Sequence, residues 1–523
     1  MTGGQIRQVP VVIVGAGPTG ITAATLLAQY GVDSLILERW PEVYPQPRAV
    51  HLDDEICRVI ARLGIADEFA AISRPTLGLR LLDRQFNVLA EFHRDAAQSV
   101  HGYPQANMFD QPELEKLLRD NLQRYPNVEL RGGADVTALS SEHGGVQVTF
   151  TDRTDNTVHR VTADYVLGCD GANSLVRNHI GAAMQDLRFN QRWLVVDIAT
   201  EADLRQWDGV YQVCDPARAG TYMRIGESRY RWEFRLLAGE SAADFGTLAA
   251  LNPLIAPWTG RVPDSALSLL RVAEYTFRAQ IADRWRCDNI FILGDAAHLT
   301  PPFIGQGMGA GMRDAMNLSW KIAAVHNGRL AAQLAGQALD TYQRERKRHV
   351  RQLIQLALAI GWSMTGGGHL GDLVRRAVVP KLRLIPGLRN RILDSTTPSL
   401  CRSVLVEKSR SHRGLAGTLC PNPLLLRGDR LDDVAGAGFA LITRGALSAT
   451  DEAMLRAREV VTVVAEADGE LDMWLRRSEV AAALIRPDRT VMRADRDVTA
   501  VCRCAATTLA VRETTQPVPE TCR

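Results

Sequence analysis

The run Val11-Val12-Ile13-Val14-Gly15-Ala16-Gly17-Pro18-Thr19-Gly20 is a short apolar, β-branched segment closed by a glycine turn, and the rest of the chain is organised around it. The apolar residues predict a buried parallel strand. Gly15, Gly17 and Gly20 satisfy G-x-G-x-x-G, and Ile21 to Tyr30 supplies an Ala- and Leu-rich helix behind them. Gly15 permits the tight turn, Gly17 lets backbone approach a pyrophosphate, and Gly20 lets helix and strand pack closely. The pyrophosphate is expected on the electropositive helix N-terminus. A second strand, Ser34 to Leu37, ends in Glu38, where an acidic side chain can bind a ribose hydroxyl.

A second glycine-rich turn stands almost three hundred residues later. Asn289 to Leu293 reads as a strand ending in Gly294-Asp295, followed by Gly305-Gln306-Gly307 at the start of a helix. Asp295 can accept hydrogen bonds from polyol hydroxyls. The amides at the helix start form an anion-friendly nest that suits the N1–C2=O edge of a reduced flavin. Two such turns in this order predict one extended dinucleotide held at both ends, its far end carrying a redox-active ring. Between them, Asp164 to Cys169 reads as another strand closed by Asp170-Gly171, with Ser174 as a helix N-cap. A structural Asp-Gly turn explains that segment equally well. Gly366, Gly368 and Gly371 repeat the glycine spacing without a preceding strand and read as a loop.

The composition is that of a soluble globular chain of two or three domains: 523 residues, 46% hydrophobic, 23% charged, net charge +2. That balance gives no reason to expect nucleic acid or an anionic membrane as partner. No run approaches the ~18 apolar residues that span a bilayer. The N-terminus leads directly into the first strand, so the cytoplasm is the expected location. Nine scattered cysteines without a C-x-x-C predict free thiols and no zinc or dithiol centre, and no metal is expected.

Together, GAGPTG with Glu38-Arg39, the turn CDGANSLVR and the segment GDAAHLTPPFIGQGMGAGMRDAMNLSWKIA resemble the class A FAD-dependent aromatic hydroxylases of the para-hydroxybenzoate hydroxylase fold. Pro47-Arg48-Ala49-Val50, Asp53-Asp54-Glu55, Phe189 to Ile198 and Gly311-Met312-Arg313-Asp314-Ala315 are closest to the 3-(3-hydroxyphenyl)propionate/3-hydroxycinnamate hydroxylases. The resemblance covers roughly residues 10–350 and continues weakly beyond. It implies an α/β fold. A Rossmann-like FAD-binding domain (6–75, 105–185 and 284–398) carries a helical extension and an inserted β-sheet substrate domain (76–104 and 186–283). A thioredoxin-like C-terminal domain occupies 415–513; lacking C-x-x-C it is expected to be redox-inert and to serve packing or assembly, a homodimer being the assembly considered.

The resemblance also assigns roles. Gly15, Gly17 and Gly20 cradle the FAD pyrophosphate; Glu38 and Arg39 meet the adenosine, Arg48 and Gln111 the flavin side, and Asp295 the ribitol. Asp170 with Gly171 belongs to the motif tied to both FAD and the nicotinamide donor. Gly305, Gln306 and Gly307 hold the flavin ring, and Pro302 lines the reaction site with its carbonyl orienting flavin and phenol. The family has Asn where this chain has Gly309, which removes one side-chain contact. A single dinucleotide fingerprint fits an NADH or NADPH donor that binds transiently, with O2 and a small phenol as co-substrates.

The substrate layer is expected from residues 77–93 and 189–277. Trp193, Tyr211, Tyr222 and Trp232 are candidates for an aromatic wall, with ordinary core packing as the competing reading. Arg224 and Arg235 are candidates for a substrate carboxylate, although strand arginines usually face solvent. His51 is a candidate proton relay or, equally, a hydrogen-bonded structural histidine. The expected activity is ortho-hydroxylation of a phenolic acid in aromatic catabolism. The rivals are a tailoring hydroxylase for a polyketide or other multi-ring phenol, a flavin dehydrogenase or electron-transfer protein without oxygen insertion, and a flavin-binding sensor or scaffold.

Overall fold

The computed structural model describes residues 7–44, 49–97, 99–142, 145–260, 262–365, 397–408 and 414–511. Arg48 and the Gly366-to-Gly371 turn lie outside these residues. The opening apolar run forms the strand Arg7–Val14, whose last four residues are all buried. Its flanking strands, Ser34–Glu38 and Val158–Gly168, are both parallel to it. The path continues to Val128–Gly132 on one side and, through Ile290–Ile292, to Arg286–Cys287 on the other. Val14 is in register with Gly168, and Gly168 with Ile292. The three turns picked out in the sequence therefore leave neighbouring strands side by side, at the carboxyl edge where parallel sheets of this kind bind ligands.

Close packing explains the glycines here. Gly15 has φ +101°, and a Cβ on it would lie 2.5 Å from the Cys169 carbonyl oxygen. On Gly20 a Cβ would lie 2.1 Å from the Gly15 carbonyl oxygen, so this glycine is what lets the helix Pro18–Gln29 sit against the turn.

The second sheet has eight strands in the order His298–Leu299, Ser268–Ala282, Met184–Ala199, Arg229–Arg235, Gly220–Arg224, Val210–Val213, Gly78–Leu82 and Val88–His93. Alternation along these strands gives the sheet two distinct faces. One face carries Leu194, Val196, Ile198, Tyr222, Tyr230 and Trp232 into a core closed by Leu251, Ile255 and Trp258 of the helix Leu248–Thr259. The opposite face carries Trp193, Gln212, Thr221, Met223, Arg231 and Glu233, which line a cavity. Tyr222 and Trp232, expected to wall the substrate, thus belong to the core on the far face, as does Tyr211.

The cofactor strands and this sheet fall in one compact unit, residues 1–316 with 347–398. The second unit comprises 317–346 and 399–523. Its four-stranded sheet runs Val461–Val464, Ala440–Thr443, Ala482–Ile485, Val491–Asp495, the first pair parallel and the rest antiparallel. With the intervening helices Ala449–Arg456, Glu470–Arg477 and Val498–Thr508, this is the β-α-β-α-β-β-α order of the expected thioredoxin-like fold. A buried ionic cluster explains why residues 317–346 count with it. Glu345 accepts from Lys321 Nζ (2.8 Å), from both terminal nitrogens of Arg486 (3.0 and 3.1 Å) and from Asn317 (2.9 Å). Burial disfavours the Glu345 charge, but Arg486 and Lys321 outweigh it and hold the carboxyl well below the usual range.

Among the described residues no helix is long and apolar enough to cross a membrane, and no cluster of His, Cys, Asp and Glu could hold a metal ion. Replacing Glu345 by Ala strands the buried Lys321 cation and leaves Arg486 with Asp488 alone. It is expected to cost about 3–5 kcal/mol, read as an earlier denaturant transition of the second unit.

Candidate active site

A single cavity of about 1200 Å³ extends from the Gly15–Thr19 turn to the inner face of the eight-stranded sheet. Small-molecule pockets commonly run to ~300–1,000 Å³, so there is room for more than one ring-sized ligand. At the nucleotide end, Gly17 differs from Gly15 and Gly20: a Cβ on it would have nothing within 4 Å. Its side faces the cavity just before the helix N-terminus, leaving backbone bare for a pyrophosphate. Glu38, at the end of its strand, accepts from the amides of Ala16 (2.6 Å) and Trp40 (3.0 Å), which fixes its carboxylate on the cavity wall. Arg39 lies exposed on the same wall.

Asp170 also lines the cavity, but its carboxylate is engaged locally. It accepts from Ser174 Oγ (2.5 Å) and from the amides of Leu175 (2.7 Å) and Val176 (3.1 Å), capping a short helix. Gly171 takes φ +78° to make that turn and does not itself face the cavity.

The late turn is locked to the first by Thr19. A Cβ on Gly294 would come within 2.8 Å of Thr19 Oγ1, and one on Gly311 within 2.2 Å. Asp295 is thereby brought to the cavity beside the opening turn. Beyond it, Pro302–Ile304 forms a 3₁₀ turn, Gly305 is left-handed (φ +62°), and Gly307 opens the helix Gly307–His326. Like Gly17, Gly307 has no neighbour within 4 Å of a Cβ. Two open glycines at two helix starts, both lining the cavity, fit the pyrophosphate and ring of FAD.

The scaffold behind this loop was not foreseen. Gln306 donates to Asp53 Oδ2 (2.7 Å) and accepts from Arg313 (2.8 Å), while Arg313 pairs with Asp53 (2.5 Å) and Glu55 (2.9 Å). Burial works against the Arg313 charge, but the two carboxylates raise its pKa above the ordinary value. The Gln306 side chain is therefore committed to holding the loop that lines the cavity. Gly309 is explained by the same cluster: a Cβ there would lie 3.0 Å from both Arg313 and Ile56. Gln111 accepts from Ala49 N (2.7 Å) and donates to Glu115 (2.6 Å) on the cavity wall.

His51 lies against the left-handed turn; a Cβ on Gly305 would be 2.8 Å from its Nδ1. Burial lowers its pKa to about 4, Arg94 adding to the effect and Asp53 opposing it. The ring is thus neutral at pH 7, with Nδ1 unpartnered inside the protein. It can accept or relay a proton there, but it is not a standing imidazolium acid.

At the substrate end, Trp193, Phe277 and Phe303 form one wall, with Trp193 6.2 and 6.0 Å from the other two ring centres. Pro302 lines the cavity beside them. Arg224 does not reach it: its guanidinium donates to the carbonyls of Gly226 and Glu227 (both 3.0 Å), closing its own hairpin. Arg235 likewise holds the Pro216 and Ala217 carbonyls (2.8 and 3.0 Å). Arg94, Arg231, Glu233 and Arg278 are among the charged residues that do line the cavity. Arg231 is paired bidentately with buried Asp197 (2.7 and 2.9 Å), and burial holds Glu233 above the usual carboxylate range, Arg231 opposing.

Gly17→Val meets no protein atom, so the variant is expected to fold and to lose about ten- to a hundredfold in FAD affinity, measured by flavin absorbance on titration. Gly20→Val should instead fail to fold. Unfolded His51 takes a proton near its ordinary 6.5 and folded His51 only near 4. Stability is therefore lost as pH falls through that window. His51→Asn should shrink this loss, seen in melting temperatures at a series of pH values.

The family model described as FAD binding domain matches residues 8–357. A 3-(3-hydroxy-phenyl)propionate/3-hydroxycinnamic acid hydroxylase of Burkholderia vietnamiensis is 34% identical over 445 residues, covering 83% of this chain and 79% of the relative. A probable NADH-specific resorcinol 4-hydroxylase of Rhodococcus jostii is 32% identical over 511 residues, covering 94% and 93%. Among solved structures, the flavin-dependent monooxygenase PieE in complex with FAD and substrate superposes with TM-score 0.78 at 22% identity, covering 95% of this chain and 98% of that one. At that identity the likeness speaks for the fold alone. Cavity, glycine cradles and sequence kinship agree: the chain belongs to the FAD-binding family and is a flavoprotein aromatic hydroxylase.

Proposed function

We propose that the enzyme hydroxylates a phenolic acid ortho to its ring hydroxyl, with 3-(3-hydroxyphenyl)propionate or 3-hydroxycinnamate as substrate and the catechol as product. One molecule each of phenol, O2 and NAD(P)H with a proton yields catechol, NAD(P)+ and water. The observation that carries this reading is continuity: one cavity joins the open glycine cradles to a wall of aromatic rings. The naming of the Burkholderia relative supports the substrate, and that of the Rhodococcus relative supports NADH as donor.

FAD, when bound and reduced, activates O2 and delivers one atom to the ring. The chain's own residues set the conditions. Trp193, Phe277 and Phe303 give the ring an apolar berth and keep water away, which oxygen transfer requires. The backbone at Pro302 orients the ring. Arg94, near enough to His51 to depress its pKa, supplies the positive charge for a carboxylate. Neutral His51 serves as a proton relay beside the Gly305 turn. The eight described cysteines are all free, in keeping with the reducing cytoplasm where NAD(P)H is available.

The test is a panel of phenolic acids and neutral phenols, resorcinol included, assayed for NADH oxidation with ¹⁸O₂. A meta-hydroxylated phenylpropanoid should accelerate oxidation most and carry one labelled oxygen. Label absent from every product, or no acceleration by any phenol, overturns the reading.

A further inference from the structure

We propose that Gln212 holds the substrate's ring hydroxyl, accepting its hydrogen through Oε1 and so selecting a neutral phenol at the reacting edge. This rests on the phenol-hydroxylase reading above and adds to it a recognition residue. Gln212 sits on the strand Val210–Val213, only 5% exposed, with its side chain on the cavity face. Its Nε2 donates to the Phe303 carbonyl at 3.2 Å. A carbonyl oxygen can only accept, so that bond fixes which end of the amide is nitrogen. Oε1 must then point the other way, and it has no hydrogen-bond partner. Native proteins leave few buried acceptors unmatched, and one that lines a ligand cavity calls for a donor from the ligand.

Position gives the donor its identity. Phe303 lies in the 3₁₀ turn that begins at Pro302, two residues before Gly305. A hydroxyl on Oε1 is therefore anchored beside the loop that meets the flavin ring, and the ring carbon next to it is presented there. The amide oxygen accepts from O–H but repels a phenolate or carboxylate, so the acid tail must lie elsewhere in the cavity. Accepting that hydrogen bond also pushes electron density into the ring, which the electrophilic oxygen transfer needs. The polar row continues across the sheet: Thr221 is the cross-strand partner of Gln212, and Glu233 that of Thr221, both on the cavity face. A row of this kind is what a hydroxylated ring, rather than a bare hydrocarbon, would match.

The test compares two ligands on the FAD-loaded enzyme, 3-(3-hydroxyphenyl)propionate and 3-phenylpropionate, titrated by the change in flavin absorbance. Wild type should bind the phenol about tenfold more tightly. Gln212→Leu should erase that preference by weakening the phenol about tenfold, leaving the deoxy acid essentially unchanged. It should also raise KM more than it lowers kcat and divert reducing equivalents to hydrogen peroxide. Flavin content reports whether the variant has folded; should Leu fail, unbranched Gln212→Met makes the same comparison. The proposal is overturned if wild type does not distinguish the two acids, if the variant keeps the preference (Oε1 then serves only a water), or if both ligands weaken in parallel. Failure of the broader reading looks different: the phenol binds with its preference intact, yet nicotinamide oxidation is not stimulated.

Discussion

Everything at the active site depends on Val14, Gly168 and Ile292 ending three adjacent parallel strands at one level. Residues separated by more than a hundred positions thereby deliver their turns to a common edge, where backbone amides are unpaired and a ligand can take them. Thr19 then wedges against Gly294 and Gly311, so the first turn and the last cannot move apart independently. Substituting either glycine would push Thr19 and open the cradle at both ends together. The four glycines in van der Waals demand (15, 20, 294 and 311) serve the protein's own packing, whereas Gly17 and Gly307 leave open space on the cavity wall. That division separates packing from recognition within motifs that look uniform as text.

The parts of this architecture that were legible in the sequence are the parts fixed locally. A β-branched run, a glycine turn and a helix of small residues are determined within twenty positions, and each of the three strand-turns fell where its composition placed it. Alternation revealed the strands of the second sheet but not which face is inward. Both faces are covered, one by the core around Trp258 and the other by the cavity, so polar residues do not mark solvent. Choosing the aromatic face as the binding face selected Tyr222 and Trp232 and passed over Gln212, Thr221 and Glu233 one residue away. Arg224 and Arg235 do not reach the cavity for a related reason: backbone carbonyls of adjacent turns satisfy them before any ligand can.

Long-range pairing was the other blind spot. Asp53 and Arg313 are 260 positions apart, and only the fold makes them a 2.5 Å ion pair with Gln306 between. A glutamine in a glycine loop reads as a ligand contact; here its amide is spent on the scaffold of the loop that lines the cavity. Gly309 follows from the same pair, since its neighbours leave no room for a larger side chain.

The cavity face of the second sheet is also electrostatically tempered. Arg231 would dominate it as a free guanidinium, but Asp197 accepts from its Nε and one terminal nitrogen in a pair almost wholly removed from water. Such a pair contributes little net stability, because the desolvation of both ions offsets their attraction. What it does fix is charge: the site presents a neutralised cation, a glutamate pushed toward its neutral form by burial, a threonine and an amide. Along this row hydrogen-bonding capacity remains high while the Arg231 charge is balanced by Asp197. A hydroxylated ring set against this row would meet hydrogen-bonding partners there rather than a bare guanidinium.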